Sequence, residues 1–242
     1  MCGMLAGHDV SSLRKCVSAG ETLPLSVFES WQEATGLRII DGIGATEMLH
    51  IFISAAGDEI RPGATGKVVP GYTARILDES GVDAPSGCVG RLAVRGPTGC
   101  RYLANVEQQR KYVHHGWNLT GDSYKVDADG YFWYQARTDD MIISGGYNIA
   151  GPEVENVLLE HPAVLECAVI GEPDEERGHI VKAVIVLRKG QNGNDALVKE
   201  VQDFVKARIA PYKYPRRVEF ADALPRTSTG KLQRYRLRED TL

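Results

Sequence analysis

Residues 136–149 read ARTDDMIISGGYNI, and the fold turns on how this stretch is taken. Arg137 precedes a pair of acids, Asp139 and Asp140; an apolar run follows and ends on Gly145-Gly146. Upstream, from Lys67 to Tyr134, the chain is made of short strand-like runs. YTARILD and GRLAVRG are parted by the turn-rich DESGVDAPSGC, and YFWYQ follows a DADG turn, with one helix around Val106–Val113 between them. Downstream, strand and helix alternate. PEVENVLLEH reads as a helix with Pro152 near its start, LECAVIG and IVKAVIVLR as strands, and ALVKEVQDFVKARI as an amphipathic helix. The change of texture predicts a domain boundary at Asp139–Asp140, giving domains 1–138 and 139–242.

Working back toward the start, LRII predicts a strand entering DGIGATE, a glycine-rich turn. Before it, PLSVFESWQEATG predicts a helix, with Pro24 in its first turn, Phe28 and Trp31 on one face and Gly36 past its end. KCVSAG predicts a short buried strand. The expected fold class is therefore α/β and α+β. An αβ sheet portion spans about 1–66, a small β-barrel-like subdomain about 67–138, and a small α/β domain closes the chain.

Composition narrows the function. With 43% apolar and 25% charged residues, the 242-residue chain is ordinary for a globular protein. A net charge of −4 gives no general reason to expect nucleic acid or an anionic membrane as partner. The charge is uneven, because residues 203–242 hold ten Lys/Arg against five Asp/Glu. Such a basic end suits either a segment that approaches phosphates or a solvated tail. Five cysteines (Cys2, Cys16, Cys88, Cys100 and Cys167) form no CxxC pair, which predicts free thiols and a cytoplasmic setting. No apolar run reaches the roughly 18 residues of a membrane span. The adjacent His114 and His115 point in different directions on any regular element and are expected at the surface.

Four places carry possible chemistry. In DGIGATE, Gly42 and Gly44 allow close backbone approach to a ligand. Thr46 offers a hydroxyl to a phosphate, and Glu47 a hard oxygen to Mg²⁺. In NLTGDSY, read as a strand leaving into a turn, Asp122 can accept from a ribose diol. In ARTDDMIISGGYNI, Arg137 can pin a ribose or phosphate, and the double glycine admits a thin ligand. Each of these stretches also reads as an ordinary turn or a salt-bridged hairpin. The fourth is PRTSTGK near the end. It is not a phosphate-cradling P-loop, because Pro225 stands where that motif needs glycine and Leu232 where it needs Ser or Thr.

Together with VSAGE before them, these motifs, in this order, resemble the adenylate-forming enzymes, specifically the acyl- and aryl-CoA ligases. The likeness runs from about Ser12 to the end. DGIGATEMLHIFIS and DGYFWYQARTDDMIISGGYNIAGPEVE look like the branch that acts on benzoate and 2-aminobenzoate. The resemblance implies that a small aromatic carboxylic acid and MgATP form an acyl-adenylate, from which CoA displaces AMP. Gly20 and Glu21 would line the adenine pocket with the backbone of Asp41, Gly42 and Ile43, continuing to Gly44. Thr46 would bind phosphate and Glu47 magnesium. Asp122, assisted by Arg137, would hold the ribose. Asp139 would be the hinge of a mobile C-terminal domain, and Gly145 and Gly146 would flank the pantetheine arm of CoA. Lys231 would stabilise charge at the α-phosphate, a task suited to a compact ammonium on a flexible stem.

Some features depart from that pattern. Ile43 stands where the family commonly has Tyr, and Ala136 where it has Gly. The Ser/Thr/Gly-rich loop that grips the β- and γ-phosphates lies upstream in the family and has no counterpart here. Residues 1–138 are thus expected to be the C-terminal part of the large domain, inactive alone. Dimerisation, or association through the truncated N-terminal surface, is expected with it. The alternatives are loading onto a carrier protein, activation of a medium-chain acid, and a non-catalytic nucleotide-binding or interaction module.

Overall fold

Pro24, at φ −63°, opens helix α1, Leu25–Thr35, which stops where Gly36 takes the left-handed conformation at φ 73°. Glycine adopts that conformation without a Cβ clash, so the helix ends where the sequence changes. Phe28 is the residue α1 buries. The computed structural model describes residues 8–239, so Cys2 lies outside the described residues. The chain divides into two units, Met1–Thr138 and Asp139–Leu242.

In the first unit, α1 links two parallel strands, β1 (Cys16–Ala19) and β2 (Ile39–Gly44). β3 (Ile51–Ser54) and β4 (Lys67–Val68) continue the sheet antiparallel, in the order β1-β2-β3-β4. Two expectations are corrected here. The KCVSAG strand forms but is not buried: Val17 is 60% exposed, because β1 is an edge strand with every second residue facing outward. DGIG is strand rather than turn, since Gly42 and Ile43 pair with Ser54 and Ile53, and the chain bends only after Gly44. β3 explains the glycine: a Cβ on Gly44 would stand 2.6 Å from the His50 carbonyl oxygen.

A second, antiparallel sheet forms a half-barrel from β5 (Thr73–Leu77), β6 (Gly90–Arg95), β7 (Val113–His114), β8 (Trp117–Val126) and β9 (Phe132–Arg137). β8 is central, with β6 on one side and β7 and β9 sharing the other. Helix α2, Val106–Tyr112, is capped by the Asn105 side chain, which accepts from the Gln108 N–H. NLTGDSY lies inside β8 and does not leave it. Its glycine instead bends the strand, at φ 77° for Gly121. The two sheets share one core, in which Met48, Phe52 and Ile53 meet Leu92, Val94 and Phe132. Full burial of such side chains contributes about 1.5–3 kcal/mol each. His114 and His115 are exposed.

The second unit opens with a hairpin, β10 (Ile142–Ser144) and β11 (Tyr147–Ile149), turning through the two glycines. Helix α3 (Gly151–Leu159) carries Pro152 in its first turn. The long antiparallel pair β12 (Val164–Asp174) and β13 (Gly178–Leu187) follows, then α4 (Asp195–Lys206), β14 (Arg217–Phe220) parallel to β13, and α5 (Arg234–Glu239). The near-continuous apolar run of β13 is buried on both faces. Val181, Ala183 and Ile185 pack under α3 and α4, whereas Val184 and Val186 pack against Leu224 and Leu237 of the C-terminal segment. Lys182, within that run, is buried beside Glu172 and reaches Glu219 at 2.8 Å.

Candidate active site

Register first brings residues of the first unit together. Ala19 is the partner of Gly42 across the parallel strands, so Gly20 and Glu21 leave β1 beside the place where Ile43 and Gly44 end β2. Carboxyl ends of adjacent parallel strands are where open α/β sheets bind ligands. Gly20 sits at φ 95°, and both it and Glu21 are exposed. Gly42 and Gly44 do not turn their open side to solvent: their missing Cβ atoms make room for Ile51 and His50.

Asp41 lines a small cavity together with Leu23, Phe28, Ile39, Ile60, Arg61 and Thr65. Burial pushes its carboxyl up to about 6, against a backbone hydrogen bond from Gly42 that lowers it.

Beyond β2 a single 3-10 turn, Thr46–Met48, drives Met48 into the core and leaves Thr46 exposed and Glu47 half-exposed. Glu47 Oε1 accepts from the Tyr102 hydroxyl at 2.6 Å. That bond, with burial added, raises the Tyr102 phenol. Among the described residues no group of three or more His, Cys, Asp or Glu is placed to hold a metal. Glu47 offers one carboxylate, a donor that fits Mg²⁺ carried chiefly by phosphate oxygens and water.

Asp122 and Arg137 are direct partners in the β8–β9 ladder, with Arg137 Nη1 3.3 Å from Asp122 Oδ1 and 3.1 Å from the Thr120 carbonyl. Asp122 is largely enclosed, whereas the Arg137 side chain is 47% exposed. Gly121 lets the arginine lie across the strand, because a Cβ there would stand 2.7 Å from Arg137 Nη2. The phenol of Tyr124, buried and held well above its usual range by that burial, is raised further by both Asp122 and Asp41. Tyr112, buried with no hydrogen-bond partner for its hydroxyl, is raised by burial and then by Glu47, with Asp122 contributing. Tyr102 and Tyr112 escaped the sequence reading, since each meets the acids only through tertiary contact.

The second unit presents three further groups. Asp139 is exposed within the 3-10 turn Thr138–Asp140. Gly145 and Gly146, at φ 55° and 84°, make the β10–β11 turn, and the Gly145 N–H donates to the Arg177 carbonyl. Lys231 is exposed at the end of a tight loop. Its N–H donates to Thr227 Oγ1 at 3.0 Å, its carbonyl accepts from the Thr227 N–H at 2.8 Å, and Gly230 turns at φ 89°. Ion pairs fix the loop on both sides. Arg226 meets Glu166 at 2.8 Å, and Arg234 Nη2 donates to both oxygens of Glu155 at 2.7 and 2.8 Å. Arg238 pairs with Asp140.

Comparison with known proteins places the chain among known relatives. The AMP-binding enzyme family matches residues 3–102, and the AMP-binding enzyme C-terminal domain matches residues 153–231. Benzoate–CoA ligase of Thauera aromatica is 45% identical over 228 residues, covering 93% of this chain and 43% of that protein. The mitochondrial acyl-coenzyme A synthetase ACSM3 of Mus musculus is 42% identical, covering 97% and 42%. The crystal structure of the anthranilate CoA ligase AuaEII in complex with anthranoyl-AMP superposes with a TM-score of 0.91 at 47% identity, over 97% of this chain and 46% of that one. A benzoate CoA ligase from Burkholderia xenovorans LB400 gives 0.89 at 40%, over 98% and 49%. The chain thus spans less than half the length of these proteins. Among the described residues, no helix is long and apolar enough to cross a membrane.

Proposed function

The chain belongs to the AMP-binding enzymes, the adenylate-forming acyl- and aryl-CoA ligases, and from that premise we propose that it serves the ATP-dependent activation of benzoate or 2-aminobenzoate as acyl-AMP and its transfer to CoA. The supporting observation is the 0.91 TM-score and 47% identity to a ligase solved with anthranoyl-AMP. In this reading the first unit is the C-terminal part of the large domain and the second a small lid turning about Asp139.

Gly20, Glu21 and the Asp41–Gly44 backbone would receive adenine, and Asp122 would accept from the ribose hydroxyls with Arg137 holding it in place. Thr46 would donate to a phosphate oxygen. Glu47 would hold Mg²⁺, which neutralises phosphate charge when bound. As the substrate carboxylate attacks the α-phosphorus and pyrophosphate leaves, the ammonium of Lys231 would stabilise the developing negative charge. Withdrawing that amine with the lid would let the CoA thiol approach past Gly145 and Gly146.

The test is calorimetry of the purified chain with non-hydrolysable benzoyl- and 2-aminobenzoyl-adenylate analogues and a hexanoyl analogue. Tighter binding of the aryl compounds is expected. A second reading, an aliphatic acid, is favoured by the 42% identity to the mouse acyl-coenzyme A synthetase, and preference for the hexanoyl compound would select it. A pure interaction module would bind none of the three.

A further inference from the structure

Tyr102 stands in the loop between β6 and α2, 55 residues from Glu47 in sequence, yet its hydroxyl donates to Glu47 Oε1 at 2.6 Å. The phenol is held from several directions. Its own backbone N–H donates to Gln109 Oε1 at 2.8 Å, and Gln109 Nε2 in turn reaches the Cys100 carbonyl at 3.5 Å. Its ring meets the buried Tyr112 ring edge-on, with centroids 5.9 Å apart at an interplanar angle of 90°. Helix α2 therefore fixes both the backbone and the ring of a residue whose polar tip ends on the candidate metal carboxylate.

From this geometry we infer that Tyr102 is a positioning residue that keeps Glu47 a one-oxygen ligand and thereby selects a small divalent cation. The inference rests on the reading of Glu47 as the metal carboxylate. A carboxylate can bind a cation through one oxygen or clasp it with both. Mg²⁺ demands octahedral geometry at about 2.0–2.1 Å and suits the first mode, whereas the larger Ca²⁺, at about 2.3–2.6 Å, readily accepts the second. With Oε1 taken by the Tyr102 hydroxyl, Oε2 is the atom left to offer. Removing the hydroxyl frees Oε1 and lets the carboxylate rotate toward the clasping mode. Tyr102→Phe removes that bond while keeping the ring that Tyr112 packs against.

The experiment compares dissociation constants of MgATP and CaATP for the purified chain, Glu47→Gln and Tyr102→Phe, by calorimetry, with thermal melts checking that each variant folds. The unchanged chain is expected to prefer MgATP by roughly tenfold, Glu47→Gln to lose that preference, and Tyr102→Phe to cut it to about threefold or less, with CaATP binding tighter than before. If Glu47→Gln abolishes the preference while Tyr102→Phe keeps it, or weakens both complexes equally, Tyr102 is structural and the inference is overturned, with the Glu47 reading intact. If Glu47→Gln behaves as the unchanged chain does, including when neither shows a preference or binding, Glu47 is not the ligand and both readings are wrong.

Discussion

Asp122 and Arg137 are register partners on β8 and β9, and their side chains repeat the pairing at 3.3 Å. The ladder aims the guanidinium before any ligand arrives, and the Arg137 side chain stays half in solvent while the carboxylate is enclosed. An arrangement of that kind presents an oriented acid to a diol. Asp122→Asn is expected to weaken binding of AMP and of an acyl-adenylate analogue about tenfold to a hundredfold, the loss of one or two charge-assisted hydrogen bonds. Calorimetry measures it. Unchanged affinity with a lowered melting temperature would assign the pair to the fold alone.

Gly121 makes that pairing possible, with φ 77° and the arginine packed against its open side. Gly121→Ala therefore meets two obstacles, an unfavourable backbone conformation and a Cβ 2.7 Å from Arg137 Nη2. We expect a stability loss of about 1–3 kcal/mol in urea unfolding, together with weakened AMP binding. Full stability would show that the arginine moves aside freely.

Lys231→Ala should leave stability untouched, because the side chain is exposed and its loop is held by backbone and Arg226 contacts. In the active ligase, acid-dependent pyrophosphate exchange should fall about a hundredfold or more, while thioester formation from preformed acyl-adenylate persists. Equal loss of both half-reactions would remove the assigned role.

Arg234 Nη2 and the two Glu155 oxygens form a mostly enclosed pair that ties the segment after Lys231 to α3. Arg234→Ala strips the arginine from the Glu155 carboxylate, which the Val169 N–H still meets, at a cost of about 1–3 kcal/mol. Hydrogen exchange at Thr227 and Lys231 should speed up, since both amides belong to the tethered loop. Unaltered exchange there would show that Arg226 alone is sufficient.

Asp41 carries a pH signature. Its carboxyl titrates at about 6 in the fold against 3.8 when exposed, so the folded chain binds more protons across that window. Stability from this group is present at low pH and is lost as pH rises from about 4 to about 6. Asp41→Asn should be the more stable form near pH 7, by on the order of 1–3 kcal/mol, with the advantage vanishing near pH 4. A stability difference that does not change with pH would contradict the burial of this acid.

Helices α1 to α4 and most strands were legible because their signals are local, whereas the short, arginine-rich α5 was not read as a helix. Pro24 and Gly36 bracket α1, and the unbroken apolar run of β13 announces a strand covered on both faces. DGIG misled for a physical reason. Two glycines in four residues usually mark a turn, but here they make room for β3, a constraint that only the paired structure reveals. NLTGDSY misled likewise, because Gly121 bends a strand that continues on both sides. Thr46, Glu47, Asp122 and Arg137 could be nominated one by one from their chemistry. The Tyr102–Glu47 contact could not, since nothing in either neighbourhood marks a partner 55 residues away.

The strand-like run Val181–Val186 needs cover on two sides, and the second cover comes from Leu224 and Leu237, which flank Lys231. The segment that would deliver the reactive amine is thus also a wall of the smaller domain. Clipping it would bare Val184 and Val186, so trimming the tail and silencing the amine are separable only by point substitution.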